Sequence, residues 1–248
     1  MHRVAPGVAA SSAGAVAAPV TRRHATRWGL LLEEGPDALL ADHATWFIVE
    51  RLTVRPGDRV AEPGCGTGMM SVCAARAGAA SVVGTDIDTE ALTAARQNAE
   101  LNGATHVSFV RGSLLEPVRG PLDLVVALLP HKPGPRPFNP RYYGGPDGTD
   151  LLVACISQAA DRLVQGGRLV LYVNSIANPR RVADVFAQAF AVRLLGEKRR
   201  DFTREEFEGL TPGMFAHLEA QRARGEADYA GDDQGLFFMA RLYEGCRR

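Results

Sequence analysis

A chain of 248 residues with 46% apolar content is long enough to bury one sizeable core as a single domain. Its 28 Lys and Arg against 28 Asp and Glu give a formal charge of zero, so no global field draws it to a phosphate backbone or an anionic membrane. No apolar run approaches the roughly 18 residues that a spanning helix needs, so a soluble, cytoplasmic protein without nucleic-acid or membrane partners is the expectation.

Residues 1–25 read as a disordered tail. Only His2 and Arg3 offer a basic start, and Pro6, Gly7, Ser11, Ser12 and Gly14 interrupt the apolar run that a cleaved signal would need. From Trp28 to Leu52, Leu31, Leu32, Leu39, Leu40, Trp46, Phe47, Val49 and Leu52 recur at helical spacing, broken at Gly35-Pro36. This predicts a helical cover over residues 26–55, packed on a sheet edge or lying over a ligand cleft. Pro56-Gly57-Asp58 is a turn into a first strand, Arg59 to Glu62. A helix from Met69 to Ala77 stops at Gly78, and Ser81 to Asp86 is a short strand apolar enough for burial on both faces.

Asp88 caps a helix running through Leu101 to Asn102-Gly103. Strands follow at His106–Val110 and Leu122–Leu128, then a helix at Thr149–Leu163 stopped by Gly166-Gly167 and a strand at Arg168–Val173. Asn178-Pro179 opens a helix to Phe190, ahead of a strand near Val192–Leu195. Thr203-Arg204-Glu205-Glu206 is a capping box opening a helical insertion within residues 200–232, before a last strand at Gly235–Tyr243. Strands alternating with helices of this length imply parallel βαβ units with right-handed crossovers. The expected fold is α/β, a doubly wound, seven-stranded, mostly parallel sheet forming one domain over residues 26–248. The insertion is expected to cover the substrate.

The 4 cysteines, Cys65, Cys73, Cys155 and Cys246, form no CxxC pair and no cluster with the 6 histidines, so neither a metal nor a disulfide is expected. The basic run Glu197-Lys198-Arg199-Arg200 lies beside Asp201, Glu205 and Glu206 and reads as a solvated face.

The chemistry concentrates in Val60-Ala61-Glu62-Pro63-Gly64-Cys65-Gly66-Thr67-Gly68. A strand ends on an acid, and three glycines carry the backbone into a helix whose free N–H groups point at the same spot. Asp86 closes a second strand about 20 residues on, where a nucleotide-binding βαβ unit places the carboxylate for ribose hydroxyls. A dinucleotide site would set a pyrophosphate at the turn, and Glu62 would repel it. A carboxylate there suits an ammonium group, which S-adenosylmethionine carries together with a sulfonium and a ribose.

Val60 to Gly68, with Gly84-Thr85-Asp86-Ile87-Asp88, resembles motifs I and II of class I S-adenosylmethionine-dependent methyltransferases, over roughly residues 50–195. The resemblance implies a Rossmann-like methyltransferase fold with S-adenosylmethionine as cofactor. It also implies that Glu62 sits near the methionine amino group, that Gly64, Gly66, Thr67 and Gly68 shape the cofactor wall, that Asp86 holds the ribose and that Ile87 lies against the adenine. Downstream, Ala95-Arg96-Gln97-Asn98-Ala99, Leu101-Asn102-Gly103, Gly112-Ser113-Leu114-Leu115-Glu116-Pro117 and Tyr143-Gly144-Gly145-Pro146-Asp147-Gly148 resemble the release-factor glutamine methyltransferase branch. There Ser113 and Leu114 take a place near the adenine, Ser113 standing where the branch has an aspartate.

After the fourth strand the branch carries Asn-Pro-Pro-Tyr, whose amide holds the substrate NH2. This chain has Leu128-Leu129-Pro130-His131 instead. Leu128 remains beside the cofactor, while Leu129, Pro130, His131, Tyr142 and Tyr143 are the expected substrate contacts. His131 is the candidate catalytic base, an imidazole able to take a proton during methyl transfer. The expected activity is therefore methyl transfer to an N, O or C nucleophile of a small heteroaromatic or hydroxylated specialised metabolite. The alternatives are glutamine N-methylation of the release-factor type and a non-catalytic cofactor-binding protein. A homodimer is left open.

Overall fold

A computed structural model describes residues 43–248 and, before them, the backbone of two short strands, β1 (Arg22–Ala25) and β2 (Leu31–Glu34). Residues 1–21, 26–30 and 35–42 lie outside the described residues, and with them most of the expected tail and part of the expected helical cover. β1 and β2 pair antiparallel, Arg22 opposite Glu34 and Ala25 opposite Leu31. Leu31 and Leu32 thus belong to a strand, not to the predicted helix. Gly35-Pro36 leaves too few residues ahead of it to repay the cost of nucleating a helix, whereas cross-strand pairing satisfies the backbone. The helical expectation holds at α1 (His43–Val49).

The elements that follow are β3 (Arg59–Pro63), α2 (Met69–Arg76), β4 (Ser81–Asp86), α3 (Thr89–Leu101), β5 (Val107–Arg111), β6 (Leu122–Ala127), α4 (Asp150–Arg162) and β7 (Leu163–Asn174). α5 (Pro179–Ala189), β8 (Phe190–Phe202), α6 (Arg204–Glu208), α7 (Met214–Ala223), β9 (Ala230–Asp232) and β10 (Gly235–Arg247) complete the chain. The caps read from sequence form: the Asp88 carboxylate accepts from Glu90 N–H, Asn178 from Arg181 N–H and the Thr203 hydroxyl from Glu206 N–H.

The main sheet has the order β5-β4-β3-β6-β7-β10-β8, with β9 added against β10, eight strands where seven were expected. β3 runs parallel to β4 and β6, β4 to β5, and β6 to β7. β10 is antiparallel to both β7 and β8. Three strands are markedly longer than the sequence suggested, β10 running on from Tyr243 to Arg247. β7 starts before Gly166-Gly167, and β8 runs on through Glu197-Lys198-Arg199-Arg200 because β10 pairs with it from Leu236 to Arg247. A ladder of backbone hydrogen bonds holds that charged stretch extended where its own side chains carry no strand signal.

Successive strand residues feed opposite faces, as the pleat requires. Val60, Leu124, Val126, Val170 and Tyr172 pack with Phe47 of α1, Met69 and Val72 of α2 and Leu92 of α3. Their neighbours Ala61, Val125, Ala127, Leu169 and Leu171 pack with Leu152 and Ile156 of α4 and Val182 and Phe186 of α5. A third cluster, Phe202, Phe207, Met214, Phe215, Leu218, Tyr229 and Phe238, seats the α6–α7 insertion on the far end of the sheet. No helix among the described residues is long and apolar enough to cross a membrane.

Chain order and strand order together fix where a ligand can bind. The chain moves outward from β3 to β4 to β5, then returns to place β6 on the other side of β3. At that reversal the loops leave the carboxyl ends of β3 and β6 in opposite directions, which opens a crevice.

Candidate active site

A cavity of about 580 Å³ occupies this crevice, and its lining follows the strand order. Gly112, Ser113 and Leu114 come from beyond β5, Asp86 and Ile87 from β4 and its end, and Gly64 and Gly66 from beyond β3. Leu128 to Lys132 follow β6, Tyr172 and Asn174 end β7, Phe238 lies on β10, and Arg200, Asp201 and Phe202 lie on β8. His43 and Ala44 at the start of α1 also line the cavity.

The cofactor half is organised by Asp86. Its carboxylate accepts from the Gly66 N–H at 2.9 Å and from the Asp88 N–H at 3.0 Å. The two backbone donors lock the carboxylate between the glycine turn and the start of α3, while its remaining lone pairs stay available for ribose hydroxyls. A Cβ added at Gly66 would meet no atom of the described residues within 4 Å, its two chain neighbours aside. The turn therefore keeps a cradle open beside Asp86. Ile87, 63% exposed at the cavity wall, offers an apolar face to an adenine ring. This donor set fits S-adenosylmethionine.

Glu62 does not stand where the sequence reading put it. Its carboxylate is buried beneath the turn, outside the cavity lining, and accepts from both the N–H and the hydroxyl of Ser71 in α2. Burial pushes its pKa up to about 8, against the opposing pull of the Ser71 hydrogen bonds. Glu62 thus braces the first turn of α2. Thr67 and Gly68 are likewise absent from the lining: Thr67 O accepts from Asn98 Nδ2, and Gly68 is the N-cap of α2.

His131 stands at the middle of the cavity by strand order, since β6 separates the β3–β5 side from the β7–β8 side. Its Nδ1 meets the Leu129 carbonyl, and its ring lies edge-on to Tyr172 with centroids 5.8 Å apart. A carbonyl can only accept, so Nδ1 carries the proton and Nε2 the lone pair of the neutral ring.

Beyond His131 the lining turns aromatic and charged. Lys132, Pro140, Arg141 and Tyr142 contribute from the proline-rich loop, Glu206 and Phe207 from α6. Lys132 Nζ lies 5.0 Å from the Tyr142 ring centroid and 5.4 Å from that of Phe207. Burial lowers its pKa, while Glu206 acts in the opposite sense. Tyr143, expected as a contact, packs instead against Phe138 at 5.2 Å and is not part of the lining. The loop is held from two sides, by hydrogen bonds between Lys132 and the backbone of Tyr142 and Gly144, and by His217 and Gln221 of α7 reaching the Pro146 carbonyl.

Phe202 and Phe207 line the cavity as well as packing in the third core cluster, to which Met214 and Phe215 belong without being part of the lining. Arg200 lines it too, in place of the purely solvated role read for its run. Tyr172 and Asn174 were not singled out from sequence. Their signal was positional, the carboxyl end of a strand next to the reversal, where ligands of such sheets bind.

The strand order, the glycine cradle and the fixed Asp86 carboxylate define a class I S-adenosylmethionine-dependent methyltransferase. The chain belongs to the methyltransferase small domain family, whose model matches residues 39–199. It is 34% identical over 211 residues to the release factor glutamine methyltransferase of Deinococcus radiodurans, covering 77% of this chain and 74% of that protein. It is 40% identical over 132 residues to the ribosomal protein L11 methyltransferase of Pelotomaculum thermopropionicum, which is 52% of this chain but only 37% of that relative's length. Among solved structures, YcgJ of Bacillus subtilis superposes with a TM-score of 0.57 at 14% identity, covering 82% of this chain and 97% of that one. A methyltransferase of Pyrococcus furiosus gives 0.55 at 19% identity, covering 88% and 90%. At such identities the two structures speak for the fold alone.

Proposed function

We propose that this chain is a protein methyltransferase, moving the methyl group of S-adenosylmethionine to a side-chain nitrogen. The observation that carries the reading is a single cavity in which the cofactor wall of Gly64, Gly66 and Asp86 continues past His131 into the lobe of Lys132, Tyr142 and Phe207. The protein acceptor is favoured by the relatives, whose names state a release factor glutamine in one case and ribosomal protein L11 in the other.

When bound, S-adenosylmethionine supplies a methyl already activated by its sulfonium. The protein's part is mainly geometry, which can be worth about 7 to 11 kcal/mol in well-oriented systems. Asp86 and the glycine turn fix the cofactor half, and the apolar Leu128–Pro130 stretch keeps water from the line of approach. In this reading His131 receives the acceptor's proton on Nε2. Tyr172 and the Leu129 carbonyl hold its ring in orientation.

The Leu128–His131 departure from Asn-Pro-Pro-Tyr favours a second reading, a small heteroaromatic or hydroxylated acceptor. Transfer of labelled methyl to release factors and ribosomal protein L11 of the same organism, beside a panel of heteroaromatic amines and phenols, separates the two. Label in the protein fraction supports the first reading. Label confined to small molecules overturns it, and cofactor binding without transfer to any acceptor would point to a non-catalytic protein.

A further inference from the structure

We propose that Asn174 is the residue that holds the acceptor nitrogen, a carboxamide-recognising group that stands in for the amide missing from the β6 loop. Asn174 is the last residue of β7, lines the cavity and is 8% exposed. Its side-chain oxygen is buried with no hydrogen-bond partner among the described residues. Buried polar atoms are almost always paired, so an orphan carbonyl oxygen on a residue that lines a ligand cavity points to a donor that arrives with the ligand.

The position suits an acceptor. The parallel register sets Ala127 of β6 beside Leu171 of β7. Continued three residues, it brings Pro130 level with Asn174, and both line the cavity with His131 between Lys132 and Pro130 in the chain. Strand pleating puts Asn174 on the same face as Tyr172, whose ring meets His131. Asn174, at the end of β7, and His131, in the loop that follows the adjacent β6, thus line one part of the cavity. The side chain of Leu128, where the release-factor branch has its asparagine, has no acceptor.

A carboxamide offers one acceptor and one donor edge, and complements the NH2 and carbonyl of a primary amide. In the arrangement proposed, Asn174 Oδ1 accepts one N–H of the acceptor amide. The acceptor nitrogen forms its bond to the methyl carbon as the carbon–sulfur bond breaks. Sulfur keeps that electron pair and becomes a neutral thioether, and the second N–H proton passes to His131 Nε2. The assignment rests on the nitrogen-acceptor reading above and names its substrate group as a primary carboxamide.

The test uses the full chain loaded with S-adenosylhomocysteine and two probes, propionamide and N,N-dimethylpropionamide, titrated by NMR chemical-shift change. Propionamide should bind to the wild-type cavity and the dimethyl probe, which has no N–H, markedly less well. Asn174→Ala and Asn174→Leu should weaken propionamide by about tenfold, the loss of one hydrogen bond to a buried partner, with S-adenosylhomocysteine affinity retained. Equal binding of the two probes to the wild type overturns the assignment even if neither variant folds. Undiminished propionamide binding in a folded variant, or no saturable binding to the wild type, overturns it as well. Propionamide held through Asn174 in a protein that transfers no methyl to release factor or L11 would sink the protein-acceptor reading alone.

Discussion

Gly66 and Gly68 differ by two residues and should fail in different ways when each is replaced by alanine. Both sit at positive φ, +51° and +73°, where an L side chain costs roughly 1–2 kcal/mol. At Gly66 that strain is the stability cost, because the added methyl meets no atom of the described residues within 4 Å, its two chain neighbours aside. At Gly68 the methyl would lie 2.8 Å from the Phe109 ring and 2.9 Å from the Ala95 Cβ. Both neighbours are buried, so overpacking adds about 1–3 kcal/mol, for a total of about 2–5 kcal/mol. Function should sort the other way. The Gly66→Ala methyl enters the cradle beside Asp86 and should weaken S-adenosylhomocysteine at least ~10-fold through lost close approach, while the fold is nearly intact. Urea denaturation and calorimetric titration of both variants provide the comparison. A Gly66→Ala protein that binds with wild-type affinity, or one destabilised as much as Gly68→Ala, would refute the placement of the cofactor wall.

Asp86→Asn keeps the side-chain shape but removes the charge that strengthens its hydrogen bonds, and should cost about 1.5–3 kcal/mol of cofactor affinity in the same titration. His131→Ala should bind S-adenosylhomocysteine normally yet turn over about 10²- to 10⁴-fold more slowly on whichever acceptor is identified; an unchanged rate removes His131 from the mechanism. Glu62 gives a pH signature in the cofactor-free protein. Its folded pKa of about 8 lies above the ordinary 4.5, so between those values the folded chain keeps a proton that the unfolded chain has lost. Stability contributed by this group therefore falls as pH rises from about 4.5 to about 8. Glu62→Gln, which retains an acceptor for Ser71, should flatten that part of a denaturation-versus-pH curve, and an unaltered slope would disprove the burial account.

Much of the fold was legible because it is written in neighbouring residues. The periodicity of β3 to β6, the caps at Asp88, Asn178 and Thr203 and the glycine turn paired with Asp86 all depend on spacings of two to about 20 residues. What was misread depends on partners distant in the chain. β2 and the polar length of β8 exist through pairing with other strands, and Leu31–Leu32 and Glu197–Arg200 carry no signal of their own for it.

The same division holds inside the site. Sequence alone determined the cofactor, since an acid at the end of β4 and an unobstructed glycine turn are chemical requirements that local spacing can meet. Tertiary structure alone decided which acid and which tyrosine face inward: Glu62 turns down to Ser71, Asp86 up to the cavity, Tyr142 in and Tyr143 out to Phe138. It also brought Asn174 beside the β6 loop, through a parallel register between residues more than 40 positions apart in the chain. A strand's own sequence fixes which residues share a face; only the order of strands in the sheet fixes what that face meets.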